Sequence, residues 1–255
     1  MRNSFREREI LEIARSSGKV TVDGLAERFD VTVQTIRRDL TQLANAGRLE
    51  RVHGGAVLPS GVRNIAYEER SRVNAEAKAA MAAACAAQIP NGSSLFINIG
   101  TTTEALASAL LGHDGLLVVT NNLNVAQILA GNARCDVLVT GGRPRPEDGG
   151  LVGPIAVRMV QDFAFDFAIL GCSAISKDGA AYDFAMDEIS VSRAAQGCAR
   201  ETWLLADHSK FARNAPARIL DFEDVDRLFT DVLPETFDAI CTQKATRVTR
   251  SAERR

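Results

Sequence analysis

Between residues 94 and 230 the chain alternates short apolar runs with stretches of helical character, and this alternation limits the fold more than any other feature. Residues 94–98, 116–120, 136–140, 167–170 and 202–206 each have the length and the β-branched or aromatic content of a buried strand. A helical pattern at 75–88 precedes them, and others fill the intervals, at 103–111, 123–130, 154–161 and 187–199. Residues 228–230 and a short helix near Pro234 close the unit. Strands spaced by helices predict a mainly parallel sheet with helices on both faces. The fold class expected is therefore α/β.

In such a sheet, ligands sit outside the carboxyl ends of the strands. The segments that follow the strands are thus the place to look for chemistry. They are Gly100-Thr101-Thr102-Thr103, Thr120-Asn121-Asn122, Gly141-Gly142-Arg143, Gly171-Cys172-Ser173 and Asp207-His208-Ser209-Lys210-Phe211. Glycine lets the backbone approach a ligand closely, and threonine hydroxyls with the free N–H groups of a helix start can cradle an anion. A lone Gly-Thr-Thr is more often just a turn, and a lone lysine more often a surface residue. Five loops of small residues, hydroxyls, carboxamides and one cation, Lys210, suit a small phosphorylated polyol better than an apolar ligand. Asp183 and Glu188 lie on the long loop after the fourth strand and on the helix start that it leads to. Their carboxylates either accept from ligand hydroxyls or, for Glu188, favour a helix N-terminus; the residues weigh the two readings equally.

The first 57 residues have a different pattern. Thr32 is placed to cap a helix that runs to Asn45, with Gly47 as its stop. Ile36, Leu40 and Leu43 make one apolar stripe. Gln34, Arg38, Thr41 and Asn45 lie opposite, flanked by Thr35 and Arg37. A second helix, residues 23–29, precedes it closely, as a helix-turn-helix needs. Residues 48–52 alternate as a strand, and Gly54-Gly55 allows a tight turn, which predicts a wing. Arg48, Arg51 and His53 would reach phosphates or the minor groove; an exposed hairpin residue with no special role is an equal reading of His53.

Residues 5–56 resemble the winged helix-turn-helix of the DeoR family of bacterial transcription regulators. The resemblance is carried by Arg8-Glu9-Ile10-Leu11, Leu25-Ala26-Glu27-Arg28-Phe29, the run from Val31 to Leu40, and Arg51-Val52-His53-Gly54-Gly55-Ala56. Thr32 stands where that family usually has Ser. Residues 76 to about 232 resemble the family's effector domain, itself similar to ribose-5-phosphate isomerase and CoA-transferase folds. The motifs here are Ile99 to Thr103, Val119 to Asn122, Gly141-Gly142, Gly150 to Gly153 and Asp207 to Phe211. Residues 90–100, 120–126, 148–150, 207–211 and 213–215 are unusually close to family members whose effector is glycerol 3-phosphate. Ala174-Ile175-Ser176 departs from the family's usual Gly-Ile-Asp, and Ala212 from its Gly.

The resulting expectation has three parts. Residues 1–57 form a DNA-binding head that uses Thr32, Gln34, Thr35, Arg37, Arg38, Arg51 and His53 on double-stranded operator DNA. Residues 58–74 form a linker. Residues 75–255 form an effector domain that binds a phosphorylated polyol or sugar, glycerol 3-phosphate by resemblance. Its ligand would meet Gly100, Thr101, Thr102, Thr103, Asn121, Asn122, Gly141, Gly142, Asp183, Glu188 and Lys210. Charge agrees with the division: residues 1–58 hold ten Lys+Arg and eight Asp+Glu, whereas the whole 255-residue chain carries a net −2. Five scattered cysteines and three histidines offer no metal-ligand spacing, so no metal or cofactor is expected. No apolar run reaches a membrane span and no signal peptide is visible, which predicts a cytoplasmic protein. A homo-oligomer, dimer or tetramer, would set two recognition helices on operator half-sites. The rival readings are a repressor sensing another sugar phosphate and a sugar-phosphate isomerase with Glu188 as base.

Overall fold

The computed structural model describes residues 2–17, 19–45, 48–52, 54–57 and 67–251. His53 and residues 58–66 of the expected linker lie outside this set.

The head contains α1 (Arg2–Ser17), β1 (Lys19–Thr21), α2 (Val22–Phe29), α3 (Val33–Asn45), β2 (Glu50–Val52) and β3 (Gly55–Val57). The three strands form an antiparallel sheet in the order β1-β3-β2. Ile10, Leu11 and Ala14 of α1 pack with Leu25 of α2 and with Ile36, Leu40 and Leu43 of α3, over Val20 and Ala56. Each such Leu or Ile contributes roughly 1.5–3 kcal/mol by leaving water. The Gly54-Gly55 pair has a steric reason. A Cβ on Gly55 would lie 1.9 Å from the Val20 carbonyl oxygen, so β3 can pass beside β1 only without a side chain there.

The second unit begins with α4 (Tyr67–Arg72), inside the stretch expected as linker, and α5 (Ala75–Ala86). Then follow β4 (Ser94–Ile97), α6 (Thr101–Ala109), β5 (Leu117–Thr120), α7 (Leu123–Leu129), β6 (Asp136–Val139), β7 (Arg143–Pro144) and β8 (Leu151–Val152). The chain continues as α8 (Pro154–Gln161), β9 (Phe165–Gly171), β10 (Ala174–Ile175), β11 (Ala180–Asp183), α9 (Met186–Gly197) and β12 (Ala199–Leu205). It ends with β13 (Ala217–Asp221), β14 (Arg227–Thr230), α10 (Glu235–Gln243) and β15 (Arg247–Arg250).

Seven strands make one parallel sheet, in the order β15-β14-β12-β9-β4-β5-β6. Alternate residues feed two separate cores. Leu95, Ile97, Ile169, Trp203, Leu205 and Phe229 face α5, α6 and α7. Phe96, Ala168, Leu170, Leu204 and Leu228 face α8, α9 and α10. Both faces are covered, as the continuous apolar runs require.

The sequence pattern missed three pieces. β15 is a half-exposed edge strand, Arg-Val-Thr-Arg, with no apolar run to reveal it. The β7–β8 hairpin and the β10-β11-β13 sheet lie in segments expected as loops; strands of two to five residues are too short for periodicity to mark. Among the described residues, no helix is long and apolar enough to cross a membrane.

The order of the sheet places the site. The chain leaves β4 toward β5 on one side, and leaves β9 toward β12 on the other, so β4 and β9 flank a topological switch point. Asn98 stitches the two ends together: its Nδ2 donates to the Gly171 carbonyl at 3.3 Å and its Oδ1 accepts from Gly171 N at 2.9 Å.

Candidate DNA-binding helix and effector cleft

The α3 helix starts as the sequence predicts. Thr35 N donates to Thr32 Oγ1 at 3.3 Å, which satisfies one of the free N–H groups of the first turn. Gln34, Arg37, Arg38, Thr41 and Gln42 line a shallow exposed groove along the outer face. Thr32 and Arg51 are exposed as well, while Thr35 is half-buried and shares a 2.9 Å hydroxyl contact with Thr32. Asp39 in the same motif does something else. It is buried and accepts from Arg6 Nε of α1 at 2.5 Å, which fixes α3 against α1. The helix therefore presents cations outward and keeps its one carboxylate inside, the arrangement that contact with nucleic-acid phosphates and base edges requires.

In the second unit the strand ends gather another set of cations. Lys210 sits in a short 3-10 turn, His208–Ala212, whose start is capped by Asp207. Burial pulls the Lys210 ammonium below its ordinary range, Asp207 opposes this, and Arg213 and Arg70 press it lower. Arg213 is also held down, by burial and then by Arg70 against the pull of Asp207. Lys78 is buried on α5. Burial, then Lys210, lowers its ammonium to about 8. Its Nζ donates to Thr101 Oγ1 at 2.9 Å and to the Arg70 carbonyl. Burial opposes ionisation of Asp207, yet Lys210 and hydrogen bonds from Ser209 and Asn74 bring its carboxyl down to about 2. Lys78, Lys210 and Arg213 thus share the field of Asp207, Arg70 acts on all three, and their mutual repulsion is relieved if an anion joins them.

Beside this cluster lies a more balanced network. Arg145 donates to Glu188 Oε2 at 2.5 Å and to Asp148 Oδ2 at 3.0 Å, and Arg70 Nη2 donates to the same Asp148 oxygen at 3.1 Å. Burial, with Asp183 and Asp148 nearby, pushes the Glu188 carboxyl up to about 8 against the pull of Arg145. Asp183 accepts from Ser173 Oγ at 2.9 Å and from Phe184 N at 2.7 Å.

The expected residues take different places around the cleft. Gly100, Thr101 and Lys210 border the cation cluster, and Gly100 precedes α6 at φ 155°. Thr102 is buried, and the Thr103 hydroxyl is spent on the Asn98 and Gly100 carbonyls at 2.9 and 2.7 Å. Asn122 caps α7 and donates to Glu104 Oε1 at 3.2 Å. Asn121 donates to the Leu151 carbonyl at 3.0 Å, and its buried Oδ1 has no partner among the described residues. Gly141 and Gly142 pack on Ile155 and Val152; Gly142 has φ 133° with the Val152 carbonyl 2.8 Å from where a Cβ would stand.

Sequence reasoning missed Arg70, Lys78, Arg145, Asp148 and Glu104. One signal was available. Lys78, Met81, Ala82 and Cys85 recur on one helical face, so the lysine falls on the buried stripe of an alanine-rich helix. Arg70 gave none, because it lies in a polar segment with no periodicity.

A basic helix-turn-helix with a wing, joined to an α/β unit whose strand ends gather buried cations, defines a DNA-binding regulator with a sensor domain. Residues 6–62 match the DeoR-like helix-turn-helix domain and residues 73–232 the DeoR C terminal sensor domain, so the chain belongs to the DeoR family. It is 45% identical to the glycerol-3-phosphate regulon repressor of Haemophilus influenzae, over 92% of this chain and 92% of that one. It is 42% identical to the repressor of the same description from Escherichia coli, over 92% and 93%. The HTH-type transcriptional repressor CsqR of Escherichia coli is also 42% identical, over 90% and 88%. Among solved structures, ribose 5 phosphate isomerase A from Neisseria gonorrhoeae aligns with 54% of this chain and 53% of its own. The identity is 14% and the TM-score 0.40, a likeness too slight to carry a reading of activity.

Proposed function

We propose that the protein is a cytoplasmic, homo-oligomeric repressor of glycerol-3-phosphate metabolism genes, a dimer or tetramer that leaves its operator when glycerol 3-phosphate fills the cleft. The observation that carries this is the grouping of Lys78, Lys210 and Arg213 about Asp207, with Arg70 in the field of all three. A phosphate dianion placed there gains from several desolvated cations at once, and the start of α6 adds free N–H groups. Asn121 Oδ1 and the Asp183 carboxylate would accept from ligand hydroxyls. Head and body then answer to different anions, DNA at α3 and the effector at the strand ends. An effector of this kind works only through unequal affinity for DNA-competent and DNA-incompetent forms.

A second reading keeps the repressor and changes the ligand to another sugar phosphate. It is favoured by the 42% identity to CsqR, because overall similarity then does not select the ligand. Catalysis fits the cleft poorly. Glu188, the one carboxylate with a case as an isomerase base, has its Oε2 taken up by Arg145 Nη1 at 2.5 Å. The test is fluorescence anisotropy on operator DNA selected from random duplexes, titrated with glycerol 3-phosphate, glycerol and fructose 6-phosphate. Release by glycerol 3-phosphate alone supports the first reading. Release by fructose 6-phosphate instead moves the ligand and keeps the repressor. Steady binding with all three would count against both.

A further inference from the structure

The cleft is closed on one side by the segment that enters the body from the head. Four residues within twelve positions reach four different parts of the site. Tyr67 Oη donates to Glu104 Oε2 at 2.8 Å, and burial with that bond pushes its hydroxyl up to about 12. Arg70 Nη2 donates to Asp148 Oδ2 at 3.1 Å. Asn74 Nδ2 donates to Asp207 Oδ1 at 2.8 Å. Lys78 Nζ donates to Thr101 Oγ1 at 2.9 Å and to the carbonyl of Arg70. The loops after β4 and β12, the α6 helix and the turn before β8 are thus all tied to residues 67–78.

Arg70 differs from the other three. Asp148 occupies one Nη only, and Arg145 competes for the same carboxylate oxygen at 3.0 Å. The Arg70 Nε is buried and has no partner among the described residues. A buried N–H without an acceptor is costly, and a guanidinium has a forked geometry that fits a phosphate with two parallel bonds. The same side chain lies in the field of Lys78, Lys210 and Arg213.

We infer that Arg70 is an effector ligand, and that through it α4 carries the occupancy of the cleft to the DNA-binding head. This rests on the reading of the cleft as a phosphorylated-effector site. When the phosphate engages Lys210 on the body and Arg70 on α4, the two are drawn together and the shared hold of Asp148 on Arg70 weakens. The α4 helix shifts with its arginine. Arg70 lies two residues before the end of α4 at Arg72. The head is placed to feel this, since α1 also lies beside the 208–212 turn that bears Lys210.

The test uses the full-length protein, its Arg70→Ala and Arg70→Lys variants, and selected operator DNA. Each is measured with and without glycerol 3-phosphate, and with ribose 5-phosphate and fructose 6-phosphate as alternatives. The readout is the ratio of operator affinities with and without effector, which corrects for any change in the free protein. In the wild type the effector lowers operator affinity, and amide hydrogen exchange across residues 67–74 changes on its addition. In Arg70→Ala the ratio returns to near one, effector affinity falls by about tenfold or more, the loss of one charge-assisted contact, and the exchange response at 67–74 disappears. Arg70→Lys, which keeps the charge and loses the fork, falls between. An Arg70→Ala protein that folds and releases operator at the wild-type effector concentration overturns the inference and leaves the effector reading standing. So does a wild-type effector response that leaves exchange at 67–74 unchanged. A wild type that ignores glycerol 3-phosphate but answers another of these phosphates in an Arg70-dependent way overturns only the ligand. A wild type that answers to none of the three overturns both.

Discussion

The α3 helix and the cleft at the strand ends both gather cations, and they do so in opposite environments. Arg37 and Arg38 stand on an exposed face, in water, held by a helix whose other side is core. Lys78 is buried, and Lys210 and Arg213 are partly buried beside a buried Asp207. Exposed cations act over a distance and release counterions from a long polyanion, at little cost to the fold. Buried cations lose hydration, repel one another, and regain that loss only when a ligand of the right size and charge arrives. The first arrangement suits a long, repetitive partner, and the second a small one that must be told apart from similar molecules.

The sharpest contrast is in salt. Between about 50 and 200 mM salt, operator affinity should fall on the order of a hundredfold or more, because phosphate contacts at exposed arginines are counterion-coupled. Effector affinity should change far less, since buried charges are poorly screened. Parallel salt series by anisotropy and calorimetry check this; equal slopes would erase the distinction between the two sites.

Next in size are two crossed substitutions. Lys210→Ala should weaken effector binding by about 1.5–3 kcal/mol, the range for a hydrogen bond to a charged group, and remove the effector-driven release of DNA. Arg38→Ala should cost operator binding about 1–3 kcal/mol if it reads a base edge, and calorimetric effector affinity is its control. Equal losses on selected and random DNA would mark Arg38 as a phosphate contact. A Lys210→Ala protein released by ordinary effector concentrations would remove Lys210 from the site.

The smallest expected effect is in pH. With its ammonium near 8, Lys78 is charged at pH 7 and largely neutral at pH 9. A phosphate monoester is already a dianion across that range, its second pKa being about 6. Effector affinity should therefore fall as pH rises from 7 to 9, by about tenfold at most for one weakened cation, and Lys78→Arg should flatten the curve. The same shift has a stability consequence of known sign. Lys78 is lowered in the fold from 10.5, so the unfolded chain holds the extra proton between about 8 and 10.5. The free protein should gain stability as pH rises through that window. A flat affinity profile from pH 7 to 9 would place Lys78 outside the phosphate site.

The sequence by itself determined the two-unit plan. Periodicity is a local property, so the outward face of α3, its Thr32 cap and the central strands of the sheet follow from the residues that form them. The Gly100 to Thr103 turn and Lys210 could be singled out because strand ends are where parallel sheets leave backbone groups open. Tertiary structure decided the rest. Thr103 and Asn122 look like ligand groups in the sequence, but folding commits their hydrogen bonds to neighbouring carbonyls, N–H groups and Glu104. Arg70 and Arg145 look like ordinary solvated charges, and Lys78 shows only that it falls on a buried helical stripe. They come together only because the chain brings residues 67–78, 145–148 and 207–213 to one end of the sheet, and no local pattern encodes a meeting of segments so far apart. The physical reason is that hydrophobic patterning is summed over neighbours within a turn or two, whereas the field in the cleft is summed over charges that are neighbours only in space.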